Sequence, residues 1–332
     1  YKEPPADLPA IQRGNWFDIP QDDEVQGYLN RSQLAPVSGA AWQAARLSKA
    51  AYLYRDADSG WSVVVKYYGV KTGQQGPKHA LREFKLTQLA CSAWLVTPGY
   101  RAVEPLDVWA DVLFLEYIDG LTLEDMISIR KSQPGVLIRC LEQTATLMAN
   151  LHSNMVNVTE YAGFAHWIRK TRKIIHQLGK YGVLQDDPII RNGLEKSIAD
   201  WEERSWMDDF NPVPMHGDTT TSNFVFPKQG DVVAIDWERA GYSDPAFDLG
   251  RLAAEIAHSI DHNGGDMAEA TAFIEYLVEM YCSSLKSGAD TETLLERAKF
   301  YQASSSLRIA RNGWVPREDR LRLVGQAFAL LT

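Results

Sequence analysis

"MHGDTTTSNFVF", residues 215–226, sets a histidine, a glycine and a carboxylate side by side and follows them with Asn223, all between apolar flanks. Asp218 and Asn223 are polar groups of different kinds. A carboxylate accepts a proton or a cation, and an amide offers a neutral oxygen together with a donor. The run continues as "SNFVFPKQGDVVAIDW", residues 222–237, which reads as two short strands around a turn at Gln229, Gly230 and Asp231. Asn223 begins the first strand and Asp236 ends the second, so a hairpin brings them side by side. Two such oxygen donors suit Mg²⁺, which takes one or two protein ligands and fills its shell with water and phosphate oxygens. Asp218, on the preceding loop, is then free to accept a hydroxyl proton.

This β-island is set among helical patterns. "LTLEDMISIRK", "VLIRCLEQTATLMANLHSN", "FAHWIRKTRKIIHQLG", "IIRNGLEKSIADWEERS", "DMAEATAFIEYLVEMYCSSLKSG" and "DTETLLERAKFYQASSSLRIARNG" all carry apolar residues three and four apart. Upstream the period changes. "AAYLYRDA" and "SGWSVVVKYYG" flank the turn residues Asp58, Ser59 and Gly60 and predict a hairpin, with Lys66 ending its second apolar run. "ALREFKLTQLACSAWL" predicts an amphipathic helix from Leu81, Phe84, Leu86 and Leu89, and "VEPLDVWADVLFLEYIDG" predicts two more strands stopping at Asp119 and Gly120. The fold expected is α+β. Residues 1–41 form a lead-in, 42–116 a small antiparallel sheet with one helix, 117–120 a connector, and 121–332 a mainly helical region.

The 332 residues, 45% hydrophobic and 23% charged, have the composition of an ordinary soluble protein. A net charge of -9 argues against a nucleic-acid partner, which needs a basic surface. Cys91, Cys140 and Cys282 are odd in number and far apart, so neither a disulfide framework nor a zinc site is expected, only small buried side chains. No apolar run approaches the roughly 20 residues of a membrane span, and no secretory segment stands at the start, so no membrane partner and a cytoplasmic location are expected. His258 and His262 have the spacing of a helical metal pair, but no glutamate follows His258 and no third ligand stands out.

The spacing from Asp218 to Asn223, followed by a separate metal aspartate, is that of a kinase catalytic loop. "HGDTTTSN" followed by "IDWERAGYSDPAFDLGR" resembles the catalytic core of the aminoglycoside phosphotransferase and choline kinase-like family, small-molecule kinases with a two-lobed, protein-kinase-like fold. The resemblance covers most of residues 42–332 and is most specific over 215–251. It implies Asp218 as catalytic base, Asn223 and Asp236 as Mg²⁺ ligands, ATP or GTP as phosphate donor, and a small-molecule hydroxyl as acceptor. It also implies Lys66 as the strand lysine on the α- and β-phosphates and Glu83 as the helix glutamate that holds it. "LEYIDG" resembles the inter-lobe hinge, where backbone groups of Glu116, Tyr117 and Ile118 would bond an adenine edge. His216, His152 and Asp248 are expected to be scaffold residues, and Asp244 with Pro245 to start a helix.

One segment departs from the family pattern. The phosphate-covering loop, expected over 46–54 as "RLSKAAYLY", lacks glycine, although small residues such as Ser48, Ala50 and Ala51 still let backbone amides approach phosphate. For the acceptor two runs compete. The acidic stretch 255–296 would favour a cationic amino sugar or amino alcohol, whereas "RIARNGWVPREDRLR", with Arg308 and Arg311, would favour an anionic or phosphorylated one. The acidic stretch follows the catalytic core directly, which favours the cationic acceptor. A protein kinase-like enzyme acting on a side chain is the alternative, weakened by the lack of a D-F-G and A-P-E activation segment. A nucleotide-binding pseudokinase is the other, weakened by the full set of Lys66, Asp218, Asn223 and Asp236.

Overall fold

The computed structural model describes residues 16–32, 34, 41–154, 158–184, 187–228, 230–285 and 290–332. The chain up to Val96 groups with Arg101–Asp119, and Thr97–Tyr100 groups with Gly120–Thr332.

In the first unit, alternation in "SVVVKY" sends Val63, Val65 and Tyr67 to one face of a sheet and Lys66 to the other. Described residues of this unit form β1 (Phe17–Asp18), α1 (Glu24–Arg31), β2 (Trp42–Arg46), β3 (Ala51–Asp56), β4 (Ser62–Tyr67), α2 (Tyr68–Thr72), α3 (Gly76–Leu89), β6 (Pro105–Trp109) and β7 (Val112–Glu116), with β5 (Tyr100–Ala102) at the unit boundary. The sheet runs β1-β2-β3-β4-β7-β6, antiparallel at each pairing. Register sets Lys66 opposite Ala51 on one side and Leu113 on the other. The described part of the lead-in joins this sheet: β1 pairs with β2, and α1, capped by Asp23, lays Val25 and Leu29 on Trp42, Tyr54 and Val63.

Two expectations need adjustment here. The β2–β3 connection is a tight turn closed by Leu47 N–H to Ala51 O at 2.9 Å, so most of 46–54 is strand and not loop. Helix α3 keeps its period but rotates its face. Ala80, Glu83 and Thr87 are buried while Leu81 is exposed, because the close approach to the sheet is made with small side chains around one carboxylate. A turn of π-helix, Ala90–Trp94, extends α3.

The second unit opens with β8 (Gly120–Thr122), which sequence period reads as helix. Thr122 ends it and caps α4 (Leu123–Ser128) in a reciprocal box with Asp125. There follow α5 (Pro134–His152), α6 (Phe164–Lys180), α7 (Pro188–Glu202), β9 (Val213–Met215), β10 (Phe224–Pro227), β11 (Val232–Ala234) and β12 (Gly241–Ser243). The chain ends in α8 (Pro245–His262), α9 (Met267–Ser284), α10 (Thr291–Ala310) and α11 (Arg317–Leu331). The hairpin β10–β11 gains β8 as a third strand, and β12 pairs with β9. Helix α11 is not foreseen from the sequence. Its buried residues Leu323, Val324, Ala327 and Leu331 are spaced by helical turns, but charges crowd its first half.

Helices α8 and α10 pack closely at Gly250, where a Cβ would meet Ala298 O at 2.3 Å. Asp244 caps α8 by accepting from Ala246 N–H at 3.0 Å and pairs with buried Arg297 at 2.8 Å. Cys140 is buried but Cys91 and Cys282 are only half-buried, and all are free thiols. Among the described residues no helix is long and apolar enough to cross a membrane.

Candidate active site

The loop after β9 is shaped by one carboxylate beneath it. Asp248, on the first turn of α8 and fully buried, accepts from His216 N–H at 2.6 Å and Gly217 N–H at 2.9 Å, while its own carbonyl accepts from the Thr219 hydroxyl at 2.7 Å. His152 Nε2 stands 3.3 Å from Asp248, and its Nδ1 is 2.8 Å from the Tyr281 hydroxyl. Burial alone would raise the Asp248 carboxyl, but the hydrogen bond and charge of His152, the charge of His216 and the Gly217 N–H together hold it below its usual value. Gly217 has φ +77°, and a Cβ there would lie 2.2 Å from Arg239 O. Only glycine fits this turn.

Asp218 emerges from that loop 9% exposed. Its Oδ1 accepts from Arg251 of α8, and its Oδ2 lies 3.5 Å from Arg239 Nε. Burial, first, and the neighbouring Arg308 push the Arg251 guanidinium down to about 10 against the pull of Asp218. Sequence reasoning does not single out Arg251. An arginine on a helix reads as solvated, and nothing local announces that its partner lies in another element.

Asn223 does not begin a strand. It closes a 3₁₀ turn, Thr221–Asn223, just ahead of β10, and its Nδ2 donates to Asp218 O at 2.8 Å. The amide oxygen is therefore the atom left for a cation. Phe224 opposes Ala234, and Ile235 N–H reaches Asn223 O at 2.9 Å, so Asp236 follows directly on the residue bonded to Asn223. Asp236 lies beyond the end of β11 in the left-handed region, φ 65°. That conformation is uncommon outside glycine and turns the backbone sharply into the next turn. His216 is a scaffold group, with Nε2 2.8 Å from Ile235 O, Nδ1 accepting from Asp218 N–H at 3.2 Å, and its ring packed on buried Trp237 at 4.6 Å.

In the first unit Lys66 Nζ pairs with Glu83 Oε1 at 2.7 Å, and Glu83, fully buried, also accepts from the Tyr68 hydroxyl. Ser48 sits in the β2–β3 turn, its N–H donating to Ala51 O at 3.0 Å. Glu116 ends β7 with its carboxylate held by Arg101 at 2.7 and 3.0 Å, and its N–H already donates to Glu104 O at 2.9 Å. Glu116 N–H is thus not available to an adenine edge. Tyr117, 37% exposed, and half-buried Ile118 follow in irregular backbone.

Beside the loop that carries Asp218, the second unit has a cavity of about 420 Å³. Thr220 and Ser222 form one wall, Glu124 of α4 another, and Glu255, His258 and Arg308 of α8 and α10 the far side. Several charges of the two runs that compete for the acceptor already have partners within the protein. Glu255 pairs with Arg308, Asp261 with Arg322, Glu269 with Arg130, Asp266 caps α9, and Arg311 bonds Gln177.

The chain matches the phosphotransferase enzyme family, APH, over residues 48–295, and it belongs to that family. Solved structures agree on the fold, and aminoglycoside phosphotransferases and choline and ethanolamine kinases are among them. The streptomycin–ATP ternary complex of APH(2")-IIa superposes with TM-score 0.60 at 15% identity, over 94% of this chain and 97% of that one. An ethanolamine kinase of Plasmodium vivax gives 0.55 at 14% identity over 85% and 78%. The choline kinase LicA of Streptococcus pneumoniae gives 0.50 at 19% identity over 86% and 91%. A 5-methyltetrahydropteroyltriglutamate–homocysteine methyltransferase of Bacillus velezensis is 25% identical over 230 residues, 65% of this chain, which spans only 25% of that protein's length. The fold is therefore kinase-like, with an antiparallel sheet region followed by a mainly helical one.

Proposed function

We propose that the chain transfers the γ-phosphoryl group of ATP or GTP to a hydroxyl of a small molecule. One arrangement carries the reading: a single loop and hairpin hold Asp218, Asn223 and Asp236 in sequence, with the Asn223 amide bonded to the Asp218 carbonyl at 2.8 Å. Asp218 orients the acceptor hydroxyl and takes its proton as the oxygen attacks phosphorus. Arg251 and Arg239 hold the two carboxylate oxygens in place. The oxygens of Asn223 and Asp236 fit Mg²⁺, which supplies charge neutralisation for the phosphates when bound. Lys66, fixed by Glu83, engages the α- and β-phosphates. The named ligands of the structural neighbours, streptomycin and ATP among them, support a small-molecule acceptor and a nucleotide donor.

Asp218→Asn removes the base and keeps its shape. Turnover should fall by roughly 10² to 10⁴, with nucleotide affinity within about twofold of the parent. Steady-state kinetics beside calorimetric nucleotide titration measures both, and near-parental turnover would sink the mechanism.

A further inference from the structure

Lys170, on α6, is a cation without a counter-ion. Among the described residues its ammonium makes no hydrogen bond and no ion pair, and it lies instead over the ring of Trp167, 4.4 Å from the centroid. That ring is fixed. Trp167 is buried, its Nε1 donates to Ser243 Oγ at 3.0 Å, and it stacks on Phe247 with the two centroids 3.8 Å apart. Phe247 in turn has the Arg251 guanidinium 6.0 Å from its ring, so an aromatic pair links Lys170 to the arginine that grips Asp218. A cation–π contact holds an ammonium in place and leaves its charge unneutralised. The indole covers one side of the ammonium, and that burial, followed by the charges of Arg239 and Arg251, holds Lys170 below the ordinary lysine value. Both of those charges are positive.

Arg239, which ends the turn after Asp236, is the second open cation. Its backbone packs on Gly217, and its side chain is 51% exposed. Nε lies 3.5 Å from Asp218 Oδ2 and 3.6 Å from Glu238 Oε1, both longer than a good hydrogen bond, and no closer partner is found among the described residues. The donor fork of this guanidinium is therefore largely unused, and such a fork takes a carboxylate or a phosphate two oxygens at a time. Three cations gather beside Asp218, while the carboxylates in contact with them, Asp218 and Glu238, are two. One positive charge is left over, in a protein whose net charge is -9.

We propose that the acceptor carries an anionic group, carboxylate or phosphate, held between Lys170 and Arg239, with a hydroxyl of the same molecule directed to Asp218. The inference rests on the phosphotransferase reading and deepens it, and it reverses the expectation drawn from the acidic run 255–296. Because Arg239 stands 3.5 Å from Asp218, a hydroxyl a few bonds from the bound anion reaches the base. Glu124, in the cavity beside the same loop, has only the Thr221 hydroxyl as printed partner, and an ammonium there is compatible with an anion at Lys170, so hydroxy amino acids belong in the test. In the transfer the acceptor oxygen forms a bond to the γ-phosphorus and the bond from that phosphorus to the β,γ-bridging oxygen breaks. The bridging oxygen keeps the electron pair and leaves with the nucleoside diphosphate, while the hydroxyl proton passes to Asp218.

The full chain is tested with Mg²⁺ and ATP against hydroxy acids, hydroxy amino acids and sugar acids, against sugar phosphates, and against neutral polyols, amino alcohols and aminoglycosides. Nucleoside diphosphate release is followed by a coupled assay. Binding is followed by calorimetry with Mg²⁺ and ADP saturating, so that the nucleotide site is filled. An anionic compound should be phosphorylated, with a Kd that weakens at least about threefold between ~0.05 and ~0.5 M NaCl as the ion pairs are screened. Lys170→Gln, at an exposed position, should raise the KM for that compound about tenfold, as loss of one charge-assisted contact predicts, and leave the KM for ATP within about twofold. Lys170→Arg keeps the charge and should recover most of that loss. Which of the two anionic panels responds tells carboxylate from phosphate. Phosphorylation confined to neutral compounds and to amines without an acidic group overturns the inference and leaves the phosphotransferase reading standing. So does a Lys170→Gln variant whose acceptor KM is unmoved, or one that raises the KM for ATP as much as that for the acceptor, which would put Lys170 on the donor phosphates. Absence of both binding and transfer across all panels overturns it too. Calorimetric binding of an anionic compound that is lost in Lys170→Gln, with no phosphate transferred, supports the anion site and instead sinks the phosphotransferase reading.

Discussion

Asp248 lies beneath the loop that carries Asp218, receives two backbone N–H bonds from it and stands against His152. Charge-assisted bonds of this kind are each worth more than neutral ones, and Asp248→Asn should cost about 2 kcal/mol or more of folding stability, read by denaturant titration. The pH dependence has a definite sign. Its folded value is depressed, so its stabilisation is fully present above the unfolded value of 3.8 and is lost as pH falls through the lower folded value. Acid titration of the variant should therefore lack that component below about pH 4, and an unchanged acid limb would rule out Asp248 as its source. Residues of this sort differ in legibility. Asp218, Asn223 and Asp236 lie close enough in sequence for their spacing to speak. The hold of Arg251 on Asp218 depends on how α8 packs against the loop, and spacing carries no trace of it. The pairing of Glu255 with Arg308 is hidden in the same way, because it depends on how α8 packs against α10.

Elements follow the same division. The hairpin β10–β11 was readable from alternation and a Gly turn, but its third strand β8 was not, because three residues of strand before a capped helix leave no period to count. The rotated face of α3 has a physical cause: Gly76, Ala80 and Thr87 permit close approach, and the buried Glu83 is stabilised by Lys66 and Tyr68 where an apolar side chain would be expected. Close approach also governs α8 and α10. Gly250→Ala would drive a methyl group into Ala298 O and to 2.7 Å from Gln302 N, both backbone atoms that cannot swing aside. The two helices must separate, at a cost of about 1–3 kcal/mol. A thermal or denaturant midpoint equal to the parent's would show that the helices slide freely, contrary to the close packing described.

For the molecule as a whole, ligand binding should appear as stability, because a ligand that binds only the folded chain stabilises it by about 2.7 kcal/mol at a hundred times its Kd. Mg²⁺ with nucleotide should raise the melting midpoint of the parent and fail to do so in Asp236→Asn. Asparagine tolerates the left-handed conformation at φ 65°, so the apo midpoint of that variant should stay near the parent's. A full thermal shift in Asp236→Asn would remove Asp236 from the metal site. The larger organisation, sheet first and helices after, was legible from the change of period near Gly120, whereas the assignment of Thr97–Tyr100 to the second unit was not. Thr97 hydroxyl donating to Asn150 Oδ1 at 3.4 Å belongs to that excursion. It has a consequence for heredity. The backbone leaves the first unit after Val96, returns at Arg101 and departs again after Asp119, so no single cut separates the two. A gene recombining at one breakpoint cannot inherit a complete first unit from one parent and a complete second unit from another. Specificity in this chain is therefore expected to evolve by substitutions within each unit, not by exchange of whole units.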